Sequence, residues 1–375
     1  MKPQMKRLKV MTIFGTRPEA IKMAPIVKAL EMEEKIDHIL CVTAQHRQML
    51  DQVLEIFSLE PAYDLDIFSP GQSLSQITSR ALTGLESVIE KEMPDVVLVQ
   101  GDTSTVFAGA LAAFYHKVKV GHVEAGLRSH DMYSPYPEEA NRKLTGVLTD
   151  FHFAPTTVSR QNLLAEGIDE AKIFVTGNTV IDALLSVIED KFTFSDSLLN
   201  EIDYKDRRVI LLTSHRSENI GQPMERIFSG IRQIVEEQAD VEVIFPMHLN
   251  PKVREIAYRH LSDHGRIHLI EPLDYLTLAN LLAKVDLVVT DSGGIQEEAP
   301  ALGKPVLVVR EETERPEGIA AGTAKLIGTD RELLVGELRT LLTQPAAYEA
   351  MANAVNPYGE GNAAEQIVEI LLKQN

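Results

Sequence analysis

The sequence predicts an α/β protein built on two parallel sheets, each covered by helices on both faces. Three observations carry this. Short apolar runs alternate with longer helix-like segments along the whole chain. The runs are almost continuously apolar, as strands buried on both faces must be. At 375 residues the chain is long for one core, so two domains are expected. The pattern implies two Rossmann-like domains, 1–182 and 183–358, dividing near the polar stretch 183–205. A C-terminal helical segment, 359–375, is expected to pack back on the first domain.

The expected strands of the first half are LKVMTIF (8–14), HILCVTA (38–44), DVVLVQ (95–100), VKVGHVE (118–124), FHFA (151–154) and KIFVTG (172–177). Those of the second half are RVILLTS (208–214), VEVIFP (241–246), RIHLIE (266–271), DLVVTD (286–291), KPVLVV (304–309) and AKLIG (324–328). Helical periodicity is clear in SQITSRALTGLESVIEKE (75–92) and MERIFSGIRQIVEEQ (224–238). Pro18 suits the first turn of a helix that follows the first strand, and Pro25 should kink or end it early. Near the end, Gly359-x-Gly361-x-x-Ala364 imitates a dinucleotide fingerprint. No strand precedes it and too little chain follows for a βαβ unit, so a turn feeding an amphipathic helix is expected.

Composition narrows the function. Hydrophobic content of 44% with 25% charged residues is ordinary for a globular protein. A formal net charge of −18 disfavours nucleic-acid or anionic-membrane binding, so an anionic ligand would need local positive features. The single cysteine, Cys41, lies in a strand-like run and reads as a small buried hydrophobe. It excludes disulfides within the chain and cysteine-based zinc sites. The N-terminal stretch lacks a long apolar segment, and no run reaches 18 apolar residues, so membrane insertion is not expected and a cytoplasmic location is.

In parallel α/β sheets, ligands bind outside the carboxyl ends of the strands. There the sequence places GTRPEAIK (15–22), GDTST (101–105), SHRSEN (214–219), MHLNP (247–251), DSGGIQEE (291–298) and REETERPE (310–317). In DSGGIQEE, Ser292 can cap a helix, and Gly293 and Gly294 admit a ligand close to the backbone N–H groups, where the helix dipole favours phosphate. Glu298 could accept from two vicinal ribose hydroxyls; alternatively Glu297 and Glu298 are simply solvated. Gly303-Lys304 lacks the surroundings of a P-loop. Arg17 and Lys22 lie in the first turns after Gly15, and the second half offers His215, Arg216 and Arg315. Cations from both halves point to one anionic ligand in the interdomain cleft.

Residues 121–142, GHVEAGLRSHDMYSPYPEEANR, concentrate acids, arginines and histidines directly after an apolar run. Asp102 and Glu124 fall at strand ends, where partial desolvation can raise a carboxyl toward neutrality. Glu138, Glu139 and Arg142 can start a helix, and Glu139, Asp131 and His130 read as ordinary loop or first-turn residues. His215 and His248 could serve as acid, base or phosphate partner. No carboxylate–histidine cluster of ligand spacing appears, so no metal site is expected.

Taken in order, GTRPEAIKMAP, GDTST, HVEAGLRS, PEEANR, GNTVID, HRSEN, HLNP, DSGGIQEE, TERPE and NPYGEGNAA resemble the non-hydrolysing UDP-N-acetylglucosamine 2-epimerases over nearly the full length. The resemblance implies a GT-B architecture, two Rossmann-like domains whose parallel sheets face an interdomain cleft, usually as a homodimer. It implies reversible conversion of UDP-GlcNAc to UDP-ManNAc, with these and UDP as its small-molecule partners, no nucleic acid and no cofactor. By the same resemblance Asp102, Glu124 and Glu138 are the proton-transfer carboxylates, with Arg142 and His215 in support. Arg17, Lys22, His215, Ser292, Gly293, Gly294, Glu298 and Arg315 would hold UDP, and Leu273 and Leu278 would line its uracil pocket. Leu278 replaces an aromatic residue of some members, and Ser217 departs from the common HRREN. Gln45, Gln48, Glu138, Arg216 and His248 resemble a second, regulatory UDP-GlcNAc site. The chemistry fits: C2 has no adjacent carbonyl to acidify its C–H bond, and elimination of UDP across C1–C2 needs carboxylates and diphosphate donors but no oxidant. A UDP-sugar glycosyltransferase of the same architecture and a non-catalytic UDP-sugar sensor are the competing expectations.

Overall fold

The computed structural model describes residues 6–44 and 47–374. They form two compact units, one spanning Met1–Ser186 with Tyr358–Asn375 and the other Val187–Pro357. No helix among the described residues is long and apolar enough to cross a membrane.

The first unit holds seven parallel strands: β1 (Leu8–Phe14), β2 (Ile36–Val42), β3 (Tyr63–Asp64), β4 (Val96–Gln100), β5 (Lys119–Val123), β6 (Phe151–Ala154) and β7 (Ile173–Val175). Their order is β3-β2-β1-β4-β5-β6-β7, so the strand order reverses between β1 and β4. Every residue of β4, VVLVQ, is buried, as strands covered on both faces require. Cys41 is fully buried on β2, where burial pushes its thiol up to about 12. The two-residue edge strand β3 has no counterpart in the predicted strands; a pair of residues carries no periodicity to read.

The helices begin and end where their caps dictate. Ser73 accepts from the Gln76 N–H while the Gln76 side chain accepts from the Ser73 N–H, opening the helix Leu74–Glu92. That reciprocal pair satisfies two otherwise orphaned donors. The helix Arg17–Met32 contains Pro25 and nevertheless runs on to Met32, against the expected early end. Burial of Ile21, Ala24, Ile26, Val27 and Leu30 along it outweighs the one backbone hydrogen bond that proline removes.

The second unit has six parallel strands: β8 (Arg208–Thr213), β9 (Val241–Pro246), β10 (Ile267–Ile270), β11 (Leu287–Thr290), β12 (Val306–Val308) and β13 (Ala324–Leu326). The order β10-β9-β8-β11-β12-β13 reverses between β8 and β11. The helix Gln222–Glu237 buries Met224, Ile227, Phe228, Ile231, Ile234 and Val235, the i, i+3, i+4, i+7 stripe of a helix lying on a sheet. Phe228 meets Phe245 of β9 edge-on at 5.3 Å, a favoured aromatic geometry.

The C-terminal helix Ala363–Gln374 belongs to the first unit and packs on the helix Arg17–Met32. The turn before it uses left-handed glycines, Gly359 at φ 107° and Gly361 at φ 86°. A Cβ on Gly361 would lie 2.5 Å from a Leu185 methyl carbon. Asp182 accepts from the Ala364 N–H at 2.8 Å, so a side chain of the same unit meets this helix start, where a dinucleotide fingerprint would place pyrophosphate. Replacing Asp182 with Ala should cost about 1 kcal/mol by loss of that cap, seen as a lower urea midpoint. An unchanged midpoint would show that the bond contributes nothing.

Candidate active site

In each unit the strand-order reversal opens two neighbouring loops in opposite directions, the usual place for a ligand on such sheets. In the first unit these loops follow β1 and β4. Gly15 follows β1 in a crowded place: an added Cβ would lie 2.0 Å from the Thr43 hydroxyl oxygen and 2.9 Å from that of Thr105. Glu19, three residues into the helix and 2% exposed, accepts from the Gly15 N–H at 2.7 Å and the Thr16 N–H at 2.8 Å. Its other oxygen accepts from the Thr103 hydroxyl, tying GTRPE to GDTST. Burial raises the Glu19 carboxyl above its ordinary value, opposed by those donors. Its position at the helix start was legible; its burial was not.

Asp102 follows β4 and Glu124 follows β5, on adjacent strands whose ladder pairs Gln100 with Val123. Glu124 is buried and has φ 65°, uncommon for a residue with a side chain. Ladder bonds on either side hold it there: Gly101 N–H to the Val123 carbonyl at 3.1 Å, and Ala125 N–H to the Phe153 carbonyl at 3.0 Å. The Lys22 ammonium reaches both Glu124 oxygens, at 2.7 and 2.6 Å, and the Gln100 amide donates to Oε2. Lys22, read from sequence as a phosphate ligand, thus faces a carboxylate of its own unit. His122 donates Nε2–H to the Gly101 carbonyl at 2.7 Å, bracing the loop that carries Asp102.

Asp102 is gripped by Arg142, through Nε at 2.9 Å and Nη2 at 2.7 Å. Asn141 also donates to the Asp102 carbonyl at 2.8 Å. Both residues lie on the helix Glu138–Leu148, which is how a segment some forty residues away reaches the end of β4. Glu139 is fully buried, not the ordinary first-turn residue expected. It accepts from the Ser129 N–H (3.0 Å), the His130 N–H (3.2 Å) and Arg142 Nη1 (3.2 Å), so it folds the loop and aims Arg142. Glu138, one residue earlier and half-buried, has no hydrogen-bond or ion-pair partner among the described residues. His130 and Asp131 are exposed, and Arg128 is committed to Glu166 at 2.8 and 2.7 Å. Arg17 is the first residue of its helix and half-buried.

In the second unit the organising residue is Asp291, at the end of β11 and fully buried. Its Oδ2 accepts from the Ser214 hydroxyl (3.1 Å), the His215 N–H (2.9 Å), the Arg216 N–H (2.9 Å) and the Asn219 amide (3.0 Å). His215 Nδ1 lies 3.2 Å from Oδ1. Burial would raise this carboxyl, but His215 and the backbone donors hold it below the ordinary aspartate value. Asp291 is not among the expected site residues; an acid ending a strand just before Ser-Gly-Gly is the signal that marks it. His215 stacks on His248, centroids 5.6 Å apart, and His248 Nδ1 accepts from the Asn250 N–H at 3.1 Å. Arg216 is half-buried beside them.

The helix Gly293–Ala301 starts at Ser292, whose side chain makes no capping bond. Nothing would meet a Cβ on Gly294 within 4 Å, whereas one on Gly293 would stand 4.0 Å from the Arg315 guanidinium. Arg315 pairs with Glu297. Glu297 (1% exposed) and Glu298 (8%) are both buried, which overturns solvated acids as the account of DSGGIQEE. Leu273 and Leu278 are half-buried against the core of this unit. Of the remaining assigned residues, Gln45 and the side chain of Gln48 lie outside the described residues. Among the described residues no group of three or more His, Cys, Asp or Glu is placed to hold a metal ion.

The depressed Asp291 carboxyl makes stability depend on pH. Its stabilisation is complete above the ordinary aspartate value of about 3.9 and is lost as pH falls through the lower folded-state value. Asp291→Ala, which orphans buried donors, should cost about 3 kcal/mol at pH 7. The gap to wild type in urea unfolding should narrow below about pH 4; a gap constant down to pH 2 would contradict this.

The family model described as UDP-N-acetylglucosamine 2-epimerase matches residues 28–372. The chain is 55% identical over 368 residues to the UDP-N-acetylglucosamine 2-epimerase of Bacillus subtilis, covering 98% of this chain and 96% of that one. It is 52% identical over 370 residues to the Escherichia coli K12 enzyme of the same name, covering 97% and 98%. The structure of UDP-GlcNAc 2-epimerase from Neisseria meningitidis bound to UDP-GlcNAc is similar with a TM-score of 0.86 at 50% identity, covering 98% of this chain and 100% of that one. The fold, the ordered strand-end loops and these likenesses converge: the chain belongs to the UDP-N-acetylglucosamine 2-epimerase family.

Proposed function

We propose that the chain interconverts UDP-GlcNAc and UDP-ManNAc by eliminating UDP and adding it back. One carboxylate accepts the C2 proton, the C–H electron pair becomes the C1=C2 bond, and the C1–O bond breaks with its pair leaving on the UDP β-phosphate. The 2-acetamidoglucal so formed takes a proton at C2 from the opposite face, and the phosphate oxygen re-adds at C1. No redox partner enters the balance. The observation that carries this reading is Glu124, held by Lys22 and Gln100 on a left-handed backbone, beside Asp102 in the grip of Arg142. Unusual backbone at a buried, donor-saturated acid is a mark of function more than of folding. Glu138 supplies a third carboxylate with no competing partner among the described residues.

In this reading the second unit holds the nucleotide: Ser292, Gly293 and Gly294 offer N–H groups to the diphosphate, with Arg315 and His215 as cations. Glu298 receives the ribose hydroxyls, and Leu273 and Leu278 face uracil. Arg17 and Lys22 complete the cationic set, Lys22 through its pairing with Glu124. Gln45, Gln48, Glu138, Arg216 and His248 are read as a second UDP-GlcNAc site that regulates the first. The chain would act as a cytoplasmic homodimer supplying a precursor of cell-surface polysaccharide. Support comes from relatives whose structures hold the same molecules: the Neisseria meningitidis protein is bound to UDP-GlcNAc, and the Methanocaldococcus jannaschii UDP-GlcNAc 2-epimerase, 38% identical with a TM-score of 0.75, is in complex with UDP-GlcNAc and UDP.

Incubation with UDP-GlcNAc in D2O should yield UDP-ManNAc carrying deuterium at C2, read by NMR. Unchanged substrate without an acceptor would indicate a transferase or a sensor, and free ManNAc a hydrolysing enzyme. Asp102→Asn and Glu124→Gln should each lower turnover by about 100-fold or more while UDP still binds. Near-wild-type turnover in either would remove that residue from proton transfer.

A further inference from the structure

Gln100 is the last residue of β4, 3% exposed, and its amide N–H meets the carboxylate of Glu124 on the neighbouring strand. A buried polar side chain at a strand end is retained only when it has a partner, and the partner chosen here is an acid of the candidate site. The Lys22 ammonium covers both Glu124 oxygens from the helix above, so Glu124 is met by donors from two separate elements. A carboxylate surrounded by donors is favoured as the anion, because each N–H would oppose the added proton. Ionisable groups near it at these strand ends include Asp102, paired with Arg142, and His122, whose ring burial holds near 4 and thus neutral at ordinary pH.

We propose that Gln100 is a positioning residue for the epimerase reaction, fixing the rotamer and the ionised form of Glu124 together with Lys22. The inference rests on the proton-transfer reading of Glu124. It also gives Lys22 a second task beside its place in the cationic set: its charge readies the base. Lys22 alone could supply the charge, since it reaches both oxygens. The planar amide of Gln100, anchored in the sheet, adds a fixed direction at Oε2. Removing it leaves the ion pair but takes that direction away.

The test is the pH profile of kcat/KM, with C2 deuterium incorporation followed in the same samples. Gln100→Leu should lower kcat about ten-fold or more and move the acidic limb upward by about one pH unit, with KM for UDP-GlcNAc changed by less than about three-fold. Gln100→Glu, of the same shape, sets a carboxylate against Glu124 and should move the limb further in the same direction; it decides the matter if the leucine variant does not fold. A fall in kcat with the limb unmoved in both variants would leave Gln100 a merely structural residue and overturn the proposal. Wild-type protein that leaves C2 unlabelled would overturn the proton-transfer reading itself, whatever the variants do.

Discussion

A buried carboxylate must have its oxygens met by donors, since an unpaired one costs several kcal/mol. Both units gather donors onto such an acid at the point where their strand order reverses, Asp291 through Oδ2 with His215 Nδ1 3.2 Å from Oδ1. In the second unit Asp291 gathers Ser214, His215, Arg216 and Asn219, so the loop after β8 takes its shape from the acid that follows β11. In the first, Glu19 gathers Gly15, Thr16 and Thr103, binding the loop after β1 to the loop after β4. The sheets bring these strands together; the carboxylates then decide which loop conformations are allowed. His215 and Asp102 inherit their positions from that choice.

The acids of 121–142 divide their labour by the same rule. Glu139 is used up by two backbone N–H groups and Arg142, and is therefore architecture. Arg142, so aimed, reaches Asp102. Glu124 takes a cation and an amide, and Glu138 keeps no partner among the described residues. One short segment thus carries acids in very different electrostatic settings, which the proposed proton transfer to and from two faces of a sugar would use. The net charge of −18 is no obstacle, because the cations that matter are placed singly and at short range.

Much of this was legible. Long apolar runs fixed the strands because parallel strands buried on both faces leave no other pattern, and the loops that matter followed from their carboxyl ends. What escaped has physical reasons. β3 is two residues long, below any period. Pro25 is tolerated because apolar burial along its helix exceeds one lost hydrogen bond, and the packing partners that decide this are distant in sequence. Glu139 and Asp291 look like ordinary acids until their donors arrive from 10 and 77 residues away. The left-handed backbone of Glu124 is set by ladder bonds to both neighbouring strands, which no local propensity reports. Gln45 and the side chain of Gln48, read as regulatory, lie outside the described residues.

In the proposed reaction C2 inverts because UDP leaves and returns. Placing 18O in the oxygen that bridges C1 and the β-phosphate of UDP-GlcNAc tests it directly, with 31P NMR as the readout. If C1–O cleavage accompanies each proton transfer, the label spreads from the bridge into the non-bridging β-phosphate positions while deuterium enters C2. Deuterium entering C2 with the label wholly retained in the bridge would contradict elimination.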